Sequence, residues 1–308
     1  MTFAYLCLFL SLHVIRVRSS EDWCYDILNT CDAHSCGGTQ AWKSIEECGG
    51  NKQSPINIVT RKTVLDEKLN HIVFHGYDKG HSYALNNTGH SVQLTLTGPN
   101  DITISEGGLG GTYLAAQLHF HWGSTSTFGS EHSIDGERYP MELHIVHKKP
   151  TGRSAAGSSG EAGSIAVLGF FFEVQTNNNI NFDPIIKELP KIQAKDSTVT
   201  LNDIILQNLI KDVKTDNYYR YEGSLTTPPC SEVVTWTVFP DPIKIGESQL
   251  KEFYTRVYYS SDAIMTDNFR PVQEIGSRTV YRSGVEAILS HSTFVFFSLV
   301  VAYFVSAP

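Results

Sequence analysis

The 308-residue sequence lacks the features that would assign it to several large protein classes. It contains no Gly-rich motif of the Walker or dinucleotide-binding type, so nothing predicts a phosphate-binding loop. It also lacks the His-Glu-x-x-His helix of zinc peptidases, and no repeat period is visible. Acidic residues outnumber basic ones by 32 to 24, and the resulting net charge of −8 argues against nucleic acid as a partner.

Apolar runs long enough to span a bilayer are also missing, since a spanning helix needs about 20 residues. The N-terminal run at 3–12, followed by small or neutral residues, predicts a secretory signal over residues 1–19; an uncleaved anchor is the alternative. At the other end, small residues, a spacer and an apolar tail predict a glycosylphosphatidylinositol (GPI) attachment signal over 283–308. The anchor is expected at Ser283, with Gly284 as the neighbouring option; a short single-pass anchor is the alternative.

The residues between these ends have the composition of a folded protein, with 41% hydrophobic and 18% charged residues overall. We predict one domain over 20–282 of the mainly β (α+β) class. It is expected to consist of a large, twisted, mostly antiparallel sheet of about ten strands with short peripheral helices. Helices are predicted at 183–189 and 247–257. Alternating segments predict strands at 72–75, 90–96, 102–105, 117–122, 142–147, 165–174 and 233–239.

The most informative stretch begins at Gln117 and contains His119, His121 and, further on, His144. On a strand, side chains at i and i+2 share one face, so His119 and His121 project together. Three imidazoles from two strands can hold Zn²⁺ from one side and leave its fourth tetrahedral position open, as in a catalytic site. Gln117 and Glu142, each two residues before a histidine, can accept the outer N–H of the rings. The alternative is an ordinary cross-strand histidine pair on a wet face.

Four motifs resemble those of the α-carbonic anhydrases, in the same order over about residues 23–282. They are Gln-Leu-His-Phe-His-Trp-Gly (117–123), Gly-Ser-Glu-His-Ser-Ile-Asp-Gly (129–136), Glu-Leu-His-Ile-Val-His (142–147) and Gly-Ser-Leu-Thr-Thr-Pro-Pro-Cys (223–230). The ends and cysteines are most similar to the membrane-anchored extracellular isoforms of types IV and XV. The resemblance implies reversible hydration of CO2 to bicarbonate and a proton, by attack of zinc hydroxide. It also implies cis bonds before Pro55 and between the two prolines at 228–229.

The resemblance assigns further roles at the site. Thr226 is expected to accept a hydrogen bond from the nucleophile and to donate one to Glu131, while His90 is expected to carry the proton to buffer. Asn268 joins the residues expected to support the ligand rings. The residues expected to contact substrate are Thr226, Thr227, Val146, Val167, Leu225, Val234 and Trp236.

The predicted extracellular location allows disulfide bonds and glycosylation. Removing the signal leaves an odd number of cysteines, which should mostly be paired in an oxidising compartment. The resemblance pairs Cys24 with Cys36 and Cys48 with Cys230. Cys31 is left either as a free thiol or as a substitute partner in the N-terminal loop. A glycan is predicted at Asn86, in the sequon at 86–88.

The expected partners are CO2 and bicarbonate, the membrane through its lipid anchor, and bicarbonate transporters. Three other functions remain as alternatives: a non-catalytic binding domain of the same fold, a zinc hydrolase for esters or peptides, and an adhesion module. The complete set of three histidines with Thr226 and Glu131 favours the lyase over all three.

Overall fold

The structure, a computed structural model, describes residues 23–26, 38–97, 101–150 and 161–284. The predicted signal peptide and nearly all of the predicted GPI signal lie outside these residues. The described part of the chain is built mainly from strands. Their bounds are β1 Asn57–Ile58, β2 Val64–Leu65, β3 Ile72–His75, β4 Gly80–Asn87, β5 Val92–Leu96, β6 Thr103–Glu106, β7 Tyr113–Trp122, β8 Ser133–Ile134, β9 Met141–Lys148, β10 Ile165–Gln175, β11 Thr198–Ile205, β12 Tyr219–Gly223, β13 Val234–Gly246 and β14 Tyr281–Arg282.

Twelve of the described strands form one mixed sheet, which confirms the predicted fold class. The order along its main path is β11-β4-β5-β7-β9-β10-β13-β12-β14-β2, and β3 joins through β6, which pairs with β7. Most neighbours are antiparallel; β10 with β13 and β14 with β2 are parallel. The short strands β1 and β8 form a separate parallel pair.

The helices are short and few among the described residues. Their bounds are α1 Gly38–Ala41, α2 Asp183–Ile186, α3 Leu206–Leu209 and α4 Glu247–Arg256, with 3₁₀ turns at Trp42–Ser44, Glu46–Gly49, Thr60–Lys62 and Leu189–Lys191. Only α4 exceeds two turns. It presents Leu250 and Phe253 to the core and keeps its charged residues outside. No helix in the described ranges is long and apolar enough to cross a membrane.

The middle of the sheet is buried on both faces, and this is what places the site. In β9 every residue from Met141 to His147 is buried. Its alternate apolar residues Leu143 and Ile145 belong to the larger core cluster, whereas Val146 belongs to a second cluster with Val167 of β10. Polar side chains on β9 are therefore held in a dry environment, where each needs a defined hydrogen-bond partner.

The sequence pattern does not predict seven of the described strands: the two-residue strands β1, β2, β8 and β14, and three longer ones, β4, β11 and β12. β4, with the sequence Gly-His-Ser-Tyr-Ala-Leu-Asn-Asn, is poor in β-branched residues. β11 is interrupted where its register with β4 shifts between Leu201 and Ile204, and Asp203 there has a positive φ of 57°. β12 is only five residues long. All three form because they complete the hydrogen-bonded ladder of a neighbouring strand.

The N-terminal segment is attached to the body beside the site. A disulfide joins Cys48 to Cys230, as predicted. Cys24 is also disulfide-bonded, but Cys31 and Cys36 lie outside the described residues, so its predicted pairing is not tested. The peptide bonds Ser54–Pro55 and Pro228–Pro229 are both cis, as the family resemblance implies.

Candidate active site

The three predicted ligand histidines converge on one point. Strands β7 and β9 pair so that His119 lies opposite His144. The His121 Nε2 and His144 Nδ1 atoms are 3.1 Å apart, and His144 Nδ1 is 3.3 Å from His119 Nε2. One nitrogen of each ring thus faces the same small volume.

The other nitrogen of each ring donates to a fixed acceptor. His119 Nδ1 donates to Gln117 Oε1 at 2.9 Å, and His144 Nε2 donates to Glu142 Oε1 at 2.7 Å. His121 Nδ1 donates to the backbone carbonyl of Asn268 at 2.7 Å. These outer bonds fix the tautomers, so the three converging nitrogens all present lone pairs.

Three lone pairs facing each other repel unless a cation lies between them. Ligands about 2.0–2.1 Å from a tetrahedral zinc lie about 3.3 Å from each other, close to the separations observed. Burial, followed by the neighbouring His121 and His144, holds the pKa of His119 well below its usual value, and burial also lowers that of His121. The His119 and His121 rings are therefore neutral at neutral pH, as metal binding requires. The donor set fits Zn²⁺.

Glu142 supports more than His144. Its Oε1 also lies 2.7 Å from His132 Nδ1, and its Oε2 accepts the backbone N–H groups of Glu131 and His132. Burial opposes ionisation, but His132 and His144 hold the pKa of this carboxyl well below its usual range. The other ring nitrogen of His132, Nε2, lies 2.7 Å from the Tyr221 hydroxyl, which extends the hydrogen-bond network. His132 is thus a structural histidine whose carboxylate partner is Glu142.

Glu131 is buried beside the three histidines, as its proposed role requires. Its Oε1 accepts the backbone N–H of Arg270 at 2.8 Å. Its Oε2 lies 3.5 Å from His121 Nε2 and has no hydrogen-bond donor within the described parts of the chain. The Thr226 hydroxyl does not reach it there, so the predicted Thr226–Glu131 hydrogen bond stays a prediction. An unpartnered buried carboxylate oxygen near the inner nitrogens of His121 and His144 again indicates a position for a cation.

A cavity of about 250 Å³ opens onto His119 and His144. Six of the seven residues expected to contact substrate line it, whereas Val234 does not and is buried in the same apolar cluster as Val146 and Val167. Lys148 is a lining residue that the sequence analysis missed. The lining residues are Gln117, His119, His144, Val146, Lys148, Ile165, Val167, Leu225, Thr226, Thr227 and Trp236.

His90 lies outside that lining. Its ring stacks on Trp23, with centroids 3.8 Å apart, and its Nε2 is 3.3 Å from the Trp23 carbonyl. Burial, opposed by that backbone contact, lowers the pKa of His90. The backbone carbonyl of His90 accepts from Asn268 Nδ2 at 3.1 Å, which connects the segment to the support of His121.

The predicted modification sites fall at two different kinds of position. Asn86 is half-buried in β4, between Gln93 and Thr198 of the flanking strands. Ser283 is buried at the end of the described chain: its N–H donates to the Tyr218 carbonyl, and its hydroxyl accepts from the Tyr218 N–H, each at 3.0 Å. Neither position tests whether the modification occurs.

The fold and the histidine geometry define a class: an enzyme that holds one metal ion from one side, with a partly apolar cavity on the other. Comparisons with known proteins agree. The model of the eukaryotic-type carbonic anhydrases matches residues 37–284. The chain is 42% identical to carbonic anhydrase 4 of Oryctolagus cuniculus over 89% of both chains. It is 34% identical to carbonic anhydrase 15 of Mus musculus, over 89% of this chain and 87% of that one.

The chain therefore belongs to the eukaryotic-type carbonic anhydrases. Members of this family are zinc-dependent lyases that hydrate CO2 to bicarbonate. Two groups among the described residues could hold a metal ion. In the group His132, Glu142 and His144, the carboxylate is already bound to both rings, so the triad His119, His121 and His144 is the better candidate for the zinc site.

Proposed function

We propose that this chain hydrates CO2 reversibly at the His119, His121 and His144 site, on the extracellular face of the plasma membrane. The observation that carries the proposal is the convergence of three ring nitrogens whose outer N–H groups are all occupied. Zinc bound by three neutral imidazoles would supply a nucleophile near pH 7, because it lowers the pKa of water.

The chain's own residues then orient the reactants. The Thr226 hydroxyl would donate to Glu131 Oε2, a buried oxygen that has no donor among the described residues, and would so offer a lone pair to the attacking oxygen. The apolar side chains of Val146, Val167 and Trp236 provide a wall for CO2, which has no net charge or dipole. The Thr226 N–H holds an oxygen of the substrate or product.

The test is stopped-flow CO2 hydration with the purified ectodomain. We expect rapid turnover that a zinc chelator removes, that added zinc restores, and that a sulfonamide inhibits. A correctly folded protein with stoichiometric zinc and no turnover would show instead that the site is a binding module.

We propose His90 as the group that carries the proton from the cavity to buffer. Its support is its half-buried position and its backbone link, through Asn268, to His121. Histidine is suited to this role because the ordinary pKa of its ring lies near neutral pH, although burial lowers the pKa of His90 from that value. His90→Ala should slow turnover in weak buffer, and added imidazole should restore it. Unchanged turnover in weak buffer would mean that another route carries the proton.

We propose that the mature chain is held at the membrane by a GPI anchor at Ser283. The support is the composition of 283–308 and the position of Ser283, where its bonds to Tyr218 end the described fold. Bicarbonate transporters are the expected partners, because bicarbonate does not cross a bilayer unaided. Phosphatidylinositol-specific phospholipase C should release the protein from cells; retention after treatment would indicate a spanning anchor.

A further inference from the structure

Lys148 gives the cavity a positive charge. Among the described residues that line the cavity, it is the one Lys, Arg, Asp or Glu; the others are apolar residues, polar residues or histidines. No carboxylate belongs to this lining. The protein as a whole carries a net charge of −8, so the cavity differs in sign from the rest of the molecule.

The position of Lys148 follows from strand geometry. His144, Val146 and Lys148 are alternate residues of β9 and so share one face. A strand rises about 3.3 Å per residue, which places the Lys148 Cα about 13 Å from that of His144, towards the cavity mouth. The flexible four-carbon stem of a lysine lets its ammonium group lean over the cavity.

The charge of Lys148 is not neutralised within the described parts of the chain. No carboxylate there lies within the 4.0 Å ion-pair distance of its ammonium group, although other lysines, such as Lys244 with Glu173, do form such pairs. The following segment, residues 151–160, contains no Asp or Glu in its sequence. Among the described residues, Lys148 is therefore a cation without a carboxylate partner that lines the cavity opening onto the three-histidine site.

We propose that Lys148 attracts small anions, bicarbonate first among them, into the cavity and so raises their affinity for the site. This inference rests on the proposed function, because bicarbonate is the anionic product of that reaction. A cation in a cleft with apolar walls raises the local concentration of anions. Because the charge is close to solvent, salt should weaken the effect, with a Debye length of about 10 Å at 0.1 M.

Lys149 is a matched control in the adjacent position. Its side chain lies against the other face of the sheet, with Nζ 5.5 Å from the centre of the Tyr113 ring. It is exposed, like Lys148, and does not line the cavity. The same substitution at 148 or at 149 therefore changes the net charge equally, but it removes the positive charge from opposite faces of the sheet.

The experiment measures anion affinity directly. The cobalt-substituted protein is titrated with thiocyanate, and the visible absorption gives the dissociation constant at low ionic strength. Lys148→Gln should raise this constant by about threefold and Lys148→Glu by about tenfold, with both differences shrinking below about twofold at high salt. Lys148→Arg, Lys149→Gln and Lys149→Glu should match the wild type. The KM for bicarbonate should follow the same order.

The outcomes separate this inference from the function on which it rests. If the wild type is active, equal effects at positions 148 and 149 would overturn the role of Lys148 but not the proposed function. The same holds if Lys148→Glu has no effect on the dissociation constant. A wild type that binds cobalt and thiocyanate but does not hydrate CO2 would overturn the proposed function while leaving the anion attraction intact.

Discussion

Two buried histidines on one strand have different roles. His144 and His147 are both in β9, three residues apart, and are 1% and 0% exposed. Because strand side chains alternate, the two rings lie on opposite faces of the sheet. His144 directs one nitrogen at the nitrogens of two other histidines. His147 directs its Nε2 at the hydroxyl of Tyr77, 2.7 Å away.

The difference lies in what satisfies the second nitrogen. His147 is complete: Tyr77 donates to Nε2, and Nδ1 donates to the Ile145 carbonyl at 3.1 Å. Burial, only partly opposed by those backbone contacts, lowers its pKa to about 4, and nothing in its surroundings calls for an ion. His144 has a satisfied outer nitrogen and an inner lone pair that meets only other lone pairs. Burial alone therefore does not identify a ligand; an unsatisfied, convergent lone pair does.

The largest expected effect is the difference between substituting His144 and substituting His147. His144→Ala should lower zinc affinity by more than the roughly 100-fold that loss of an outer partner causes, and should abolish CO2 hydration. His147→Phe should retain zinc and turnover. It should lose about 1–3 kcal/mol of stability, because the Tyr77 hydroxyl is left without an acceptor. Zinc content, stopped-flow rates and urea unfolding measure the three quantities. Retained zinc in His144→Ala would refute the ligand assignment, and His119→Ala and His121→Ala should behave like it.

The second prediction compares the outer partners. Glu142→Gln should lower zinc affinity by about 10- to 100-fold, because Glu142 holds His144, His132 and two backbone N–H groups together. Gln117→Ala should lower it by less than about tenfold, because Gln117 is only half-buried and water can replace its amide oxygen.

The measurement is a competition titration against a zinc chelator at pH 7. Glu137→Gln, on the exposed turn before β9, is the matched carboxylate control and should leave the affinity unchanged. Thermal unfolding of the metal-free variants checks that each has folded. Equal losses of zinc affinity in Glu142→Gln and Gln117→Ala would show that the Glu142 carboxylate supports the site no more than Gln117 does.

The third prediction concerns the pH dependence of stability. The pKa of His147 is about 4 in the folded chain and about 6.5 when unfolded, so the unfolded chain binds the proton first. The stability from this group is complete above pH 6.5 and is lost as the pH falls toward 4. Between pH 7 and 4.5 the loss should be about 2–3 kcal/mol. In the metal-free protein, the free energy of unfolding measured with urea should fall less over this pH range for His147→Phe than for the wild type. Parallel slopes would assign the acid sensitivity to other groups.

Much of the site could be predicted because its residues are close in the sequence. The i, i+2 spacing of Gln117, His119 and His121, and of Glu142 and His144, fixes which side chains share a face as soon as the segments are strands. The same rule would have found Lys148, the next residue but one after Val146, had the alternation been followed past His147. The contact between His132 and Glu142 had no such signal, because it depends on the turn between β8 and β9.

The sequence by itself determined the fold class, the metal ligands offered and the family, since alternation and local motifs survive without any knowledge of the pairing. The tertiary structure decided the register that sets His119 opposite His144, the carbonyl of Asn268 as the acceptor for His121, and the unpartnered oxygen of Glu131. It also decided that β4, β11 and β12 are strands. These features depend on residues far apart in the chain, which meet only when the sheet closes its ladders and excludes water from both faces.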